Sequence, residues 1–273
     1  MTQEDYLIEL QEINNIAVND PKQLTSNNKK RFWQIVGVIK REISPDPQLV
    51  DLAVEIREIL YLQRLGSTKP MGIVIPIWTV CGIAAIVCPL LFTFSELIYV
   101  AMIISWSFVA IFMLGYLWIV NMDRKWFFVI FIAAVGGTVV GDLIIAMMSI
   151  ELLVEFNRFL MFAAIPCFYL HGRYIGGLIA GIQFDGVSRD VFHFPTLKIN
   201  YRSYLLAQPP ARQWIFFCGG IGTVVTSVVV ATVQLFVFGD IFWNLIPILL
   251  FLGDLSLAGP LSRGEFSHLL TFF

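Results

Sequence analysis

The stretch FYLHGRYIGG, residues 168–177, sets a histidine and an arginine two positions apart inside an apolar run from about 158 to 182. Such a run is either the buried helix of a soluble core or a membrane span. The rest of the chain decides between them. Of its 273 residues, 58% are hydrophobic and 14% charged, where a soluble domain carries about 25% charge. Mean hydropathy is +0.77. Apolar runs close to the ~20 residues that cross a bilayer recur through the chain. The bilayer is therefore the expected solvent for most of the molecule. His171 and Arg173 then become intramembrane polar groups, which are costly and mark function by default. The bland alternative is a polar pair that touches a neighbouring helix.

Working outward from this run, six spans are expected at about 71–93, 97–121, 126–148, 158–182, 214–238 and 241–260. With the N-terminus inside, sixteen Lys and Arg fall on inner segments and only Arg158 on an outer one, leaving Arg173 within the fourth span. Both termini are therefore expected in the cytoplasm. Trp126 and Trp214 fall at inner interfaces and Trp243 at the outer one, as aromatic belts do. The acidic start, MTQEDYLIELQEINN, is not a basic-then-apolar leader. The first span is expected to act as the insertion signal. The outer loops TFSE, SIELLVEFN and GD are short. The fold class expected is an all-α polytopic membrane protein with a short strand-containing cytosolic loop.

Residues 1–70 are a different material. They hold 9 of the 18 Lys and Arg and 10 of the 20 Asp and Glu. Amphipathic helices are expected at about 2–18, 27–43 and 46–65. Leu7, Leu10, Ile13 and Ala17 make one stripe; Leu49, Leu52, Ile56 and Ile59 make another. Pro47 suits a first helical turn. Seventy residues enclose a thin core, so this region should pack on the membrane domain (71–260) or on a partner. Residues 261–273 form a tail. In the long inner segment 183–213, VFHF and LKINYRSY alternate like short strands. Cys81, Cys88, Cys167 and Cys218 all lie in apolar runs without a C-x-x-C pair. They suggest small buried hydrophobes rather than a metal or disulfide framework. A net charge of −2 argues against a nucleic-acid partner.

The intramembrane candidates are Asp142, His171, Arg173 and Asp254. Asp142, near the outer end of the third span, reads first as an interfacial carboxylate. Gly137 and Gly141 beside it, and Gly177 and Gly181 in the fourth span, have small-xxx-small spacing, which permits close helix contact. Pro166 is expected to interrupt the fourth span just before the polar pair. At 1.5 Å per residue, His171 and Arg173 lie roughly 14–17 Å from the cytosolic side and Asp254 roughly 9–14 Å. A contact between Asp254 and one of them would lower the cost of burying each.

From about 158 to 265, the order of segments resembles the core of site-2-type intramembrane metalloproteases. That family carries H-E-x-x-H on one span, then a strand-rich loop, then a small-residue span, then N-x-x-P-x-x-x-L-D-G. Here HGRYI (171–175) stands at the first motif, VFHFPTLKI in the loop, PPARQWIFFCGGIGT before the small-residue motif, and NLIPILLFLGDL (244–255) at the last. Asn244 and Pro247 match, and Asp254 is displaced. The resemblance implies zinc held by His171, a second histidine and the aspartate, with a glutamate to activate water. Gly172 stands at the glutamate position and Ile175 at the second histidine. A catalytic zinc needs three protein ligands and the reaction needs a base. The resemblance therefore implies a relative without catalysis, zinc or another cofactor.

The leading expectation is thus a non-catalytic integral membrane protein that binds lipid and a membrane segment or partner subunit, and docks a protein on residues 1–70. Two other readings stay open. One is a small transporter or channel lined by Asp142, His171, Arg173 and Asp254. The other is an active metalloprotease with an unusual ligand set.

Overall fold

A computed structural model describes residues 3–65, 68–189 and 195–239. The expected sixth span, with Asn244, Pro247 and Asp254, lies outside the described residues, as do His193, Trp243 and the tail. The N-terminal region folds as three helices, α1 (Gln3–Asn19), α2 (Ser26–Ile39) and α3 (Pro47–Leu65). Thr25 caps α2, accepting from Asn28 N at 3.2 Å. The expected stripes meet: Leu10, Ile13 and Ala17 of α1 are buried with Leu49 and Ile56 of α3, while Leu7, Leu52 and Ile59 are partly covered.

Among the described residues, five stretches are long and apolar enough to cross a membrane: Met71–Leu91, Ser95–Val120, Arg124–Met148, Ile150–Ile179 and Pro209–Phe236. They contain α4 (Met71–Leu91), α5 (Ile98–Val120), α6 (Arg124–Met148), α7 (Ile150–Arg158), α8 (Ala164–Ile179) and α10 (Pro209–Phe236). This is a multi-pass helical membrane architecture. Asn121 ends α5 in the left-handed conformation at φ 55°, its N–H bonded back to the Leu117 and Trp118 carbonyls. That turn sends α6 back across the bundle.

The fourth span differs from its expected form. SIELLVEFN is not a loop. Ser149 takes an extended conformation and its hydroxyl accepts from Glu151 N and Leu152 N, starting α7. A 3₁₀ turn over Phe159–Ala163 then breaks the span. The break falls before Pro166 rather than at it. The proline sits in the first turn of α8, where its missing N–H would have no intrahelical partner.

Gly181, at φ 67°, ends α8, and an antiparallel hairpin follows, β1 (Phe184–Arg189) with β2 (Pro195–Ile199). Lys69 joins its edge by exchanging backbone hydrogen bonds with Val187 at 2.7 and 2.8 Å. Gly186 must be glycine there: at φ 147°, a Cβ would stand 2.5 Å from Lys69 O. The expected second strand is shorter than LKINYRSY. Asn200 accepts from Ser203 N at 3.0 Å and converts the rest into α9 (Tyr201–Leu206).

The N-terminal helices do not close a core alone. Ile182, Tyr201, Tyr204, Leu205 and Ile215 complete it. At this junction Arg212, fully buried, donates to Lys40 O at 2.6 Å, Leu205 O at 2.6 Å and Ala207 O at 2.8 Å. One rigid guanidinium fork thereby ties the C-terminus of α2 to the start of α10. Ion pairs of Glu58 with Lys198 and Asp51 with Arg202 join α3 to the hairpin and α9.

Candidate functional site

FYLHGRYIGG lies on α8, which packs antiparallel to α10 with backbone touching backbone. A Cβ at Gly172 would stand 2.2 Å from Cys218 O, and one at Gly176 would stand 2.2 Å from Trp214 O. Gly222 faces Phe168 O in the same way, at 2.8 Å. Along this seam 168 meets 222, 172 meets 218 and 176 meets 214. Glycines let the two backbones approach, which is how helices associate where lipid removes the hydrophobic drive. The close-contact pair is therefore Gly172 and Gly176. Of the pairs expected from spacing, Gly137 has nothing within 4 Å, Gly141 touches only Phe156 at 4.0 Å, Gly177 meets the Phe184 ring, and Gly181 is the helix-ending turn.

His171 turns the other way, toward α4. Its Nδ1 lies 2.7 Å from Cys167 O and its Nε2 lies 2.6 Å from Thr79 Oγ1. A carbonyl only accepts, so Nδ1 carries a proton. Thr79 Oγ1 is also 2.9 Å from Ile75 O, a carbonyl in the turn that contains Pro76. Arg173 donates to Thr196 Oγ1 of β2 at 3.4 Å, and its guanidinium stands 5.2 Å from the Tyr169 ring and 5.4 Å from the Phe216 ring. The histidine thus serves the α4–α8 contact, and the arginine lies between α10 and the hairpin. Ile175 is 52% exposed. The expected contact of Asp254 with either residue falls outside the described residues.

Asp142, read as an interfacial carboxylate, is covered by protein. It is fully buried, and is the only buried residue of α6. Its two oxygens accept from Trp106 Nε1 at 2.8 Å and Asn157 Nδ2 at 3.0 Å. Ser105 in turn donates to Asn157 Oδ1 at 2.9 Å. This network ties α5, α6 and α7 at the end of the bundle away from the N-terminal helices. Close to that end, Arg158 is also buried, donating to Gln234 Oε1 at 2.8 Å and pairing with Glu155. The described contacts thus give Asp142, His171 and Arg173 separate settings rather than one shared lining. Ser105, Asn157 and Gln234 were legible as polar residues inside apolar runs. Spacing offered no sign of which would meet.

Zinc does not fit the described residues. Of the positions that the resemblance assigns to the metal site and its base, they supply His171 alone, with Gly172 locked in the seam and Ile175 lacking a ligand atom. Among the described residues no three of His, Cys, Asp and Glu come together.

At the junction with the N-terminal helices, Tyr201 and Tyr204 stack with ring centres 5.9 Å apart and planes at 11°. Arg57 stands 4.1 Å from the Tyr201 ring, Arg212 5.5 Å from the Tyr204 ring, and Lys40 Nζ 5.9 and 5.6 Å from the two. Burial, then the charges of Arg212 and Arg57, push the Lys40 ammonium down to about 8. Burial pushes both tyrosine hydroxyls up. Nothing in the sequence pattern gathers these five residues, which come from four elements.

No family model matches the chain, and it matches no curated protein and no solved structure.

Proposed function

We propose that this protein is a non-catalytic, membrane-embedded binding protein that holds a transmembrane segment of a partner. In its order of α8, hairpin and α10 it is similar to site-2-type proteases, without their chemistry. The observation that carries the reading is the seam at Gly172. Where the resemblance calls for a water-activating carboxylate, even a Cβ would meet the Cys218 carbonyl at 2.2 Å. A glutamate there would have to part the two helices. That position supports packing in place of general-base chemistry.

The binding half of the proposal rests on α6. Of its 25 residues only Asp142 is buried, and among the described residues a Cβ added at Gly136 or Gly137 would meet nothing within 4 Å. An apolar helix with an open glycine face offers a second transmembrane helix close backbone approach. The Asp142 network anchors α6 to the bundle from its other face.

A photo-crosslinking residue at Gly137, with a control at exposed Val228 on α10, tests this in native membranes. A discrete protein adduct from position 137 and none from 228 is the expected result. Lipid adducts alone at both positions would remove the partner from the proposal. Stoichiometric zinc in protein purified without added metal, lost on His171→Ala, would remove the non-catalytic part.

A further inference from the structure

We infer that the aromatic cluster at the junction of the N-terminal helices and α10 binds an anionic phosphate group, through Lys40, Arg57 and the Tyr201 hydroxyl. The inference is independent of any protease-like ancestry.

Charge is the first argument. Lys40, Arg57 and Arg212 surround one stacked pair of tyrosines. Of the carboxylates nearby, Asp51 pairs with Arg202, and Glu58 is shared between Lys198 and Arg57, so it offsets only part of the cluster's charge. Arg212 spends its donors on three backbone carbonyls. The Lys40 ammonium makes no hydrogen bond or ion pair among the described residues; it stands over the two rings. Cation–π attraction offsets part of the cost of holding such a charge, but burial, and after it the like charges of Arg212 and Arg57, oppose it. A phosphate oxyanion beside the cations would offset that repulsion.

Hydrogen bonding is the second argument. The Tyr201 hydroxyl is buried without a partner, and the residue is 6% exposed. A buried hydroxyl left unpaired is destabilising, so an occupant that accepts from it is favoured. Lys40 is half-buried and Arg57 keeps 18% of its side-chain surface, so the cluster can be reached from solvent.

Position is the third. Arg212 is in the first turn of a span and Trp214, two residues on, is 44% exposed. Half-exposed tryptophans collect at the headgroup level of a bilayer. The phosphate of an anionic phospholipid and a free phosphate share the chemistry that these side chains recognise.

The full chain in neutral detergent can be titrated with phosphatidylglycerol, phosphatidylcholine and inorganic phosphate, with bound species read by native mass spectrometry. We expect one equivalent of phosphatidylglycerol to bind ahead of phosphatidylcholine. Lys40→Met should weaken it about tenfold or more, Lys40→Arg should retain it, and Lys30→Met, an exposed control on α2, should leave it unchanged. Tyr201→Phe keeps the ring beneath the cations, so it keeps the fold while weakening binding several-fold. If inorganic phosphate competes at millimolar concentration, the phosphate alone is recognised; if it does not, the headgroup and its chains are. Equal binding of the two lipids with no effect of phosphate would overturn the inference. So would equal weakening by Lys40→Met and Lys30→Met.

Discussion

At the scale of single residues, glycine positions separate contact from mere spacing. Gly172→Ala should destabilise the fold by about 1–3 kcal/mol through overpacking against the Cys218 carbonyl. Gly137→Ala, in open space, should be neutral or stabilising by up to about 1 kcal/mol through helix propensity. Thermal unfolding in detergent measures both, and equal melting shifts would contradict the seam. Lys40 gives a pH prediction. Its ammonium is pushed down to about 8 in the folded chain, against about 10.4 when unfolded. Between these values the unfolded chain binds more protons, so stability rises with pH across roughly 8 to 10. Below about 8 the cost of the buried charge is fully present. Above about 10 the two buried tyrosines reverse the trend, because the unfolded chain then loses phenolic protons first. Lys40→Met should therefore flatten the slope between pH 8 and 10 and raise stability at pH 7 by about 1–3 kcal/mol. A slope unchanged in the variant would count against this environment for the lysine.

At the scale of elements, two polar devices hold helices together where apolar packing cannot choose a register. Arg212 satisfies carbonyls of α2, α9 and the turn before α10. Arg212→Met should orphan them at a cost of about 3 kcal/mol or more, seen first as faster hydrogen exchange over α2 and α3. A uniform loss of protection through α4–α10 instead would show that the joint is not local. Asp142 should couple to Trp106 and Asn157. A double-mutant cycle of Asp142→Ala with Trp106→Phe should give a coupling of about 0.5–3 kcal/mol; additivity would mean that the indole bond contributes nothing. The alternation in residues 197–204 pointed to a short strand, yet the chain turns into α9 at Asn200. A local cap and burial of Tyr201, Tyr204 and Leu205 against α3 outweigh a β-like pattern. Likewise SIELLVEFN carries a helix cap in Ser149 and buried Leu153 and Asn157, none of which loop length alone reveals.

At the scale of the whole molecule, the Lys and Arg asymmetry predicts sidedness. In a background with the native cysteines replaced, a cysteine at Glu96 should react with an impermeant maleimide from outside the cell. A cysteine at exposed Arg202 should react only after the membrane is opened. The opposite pattern would invert the molecule. What the sequence determined alone is the solvent and many of the elements: apolar spans follow from length and hydropathy, and the first and third N-terminal helices follow from apolar stripes, with Pro47 at the start of the third. Both signals are local, so they survive without knowledge of the rest of the chain. It also exposed the gaps at Gly172 and Ile175, because a missing ligand atom is a fact of composition. The tertiary structure decided which polar groups meet. His171 finds Thr79 ninety-two positions away, Arg212 finds Lys40 O at a separation of 172, and Arg158 finds Gln234 at 76. It also decided that Gly172 and Gly176, rather than Gly137 and Gly141, make the close contact. Helical periodicity places a side chain on a face, but in lipid every face is apolar. Only the packing of one helix against another selects the face that is buried.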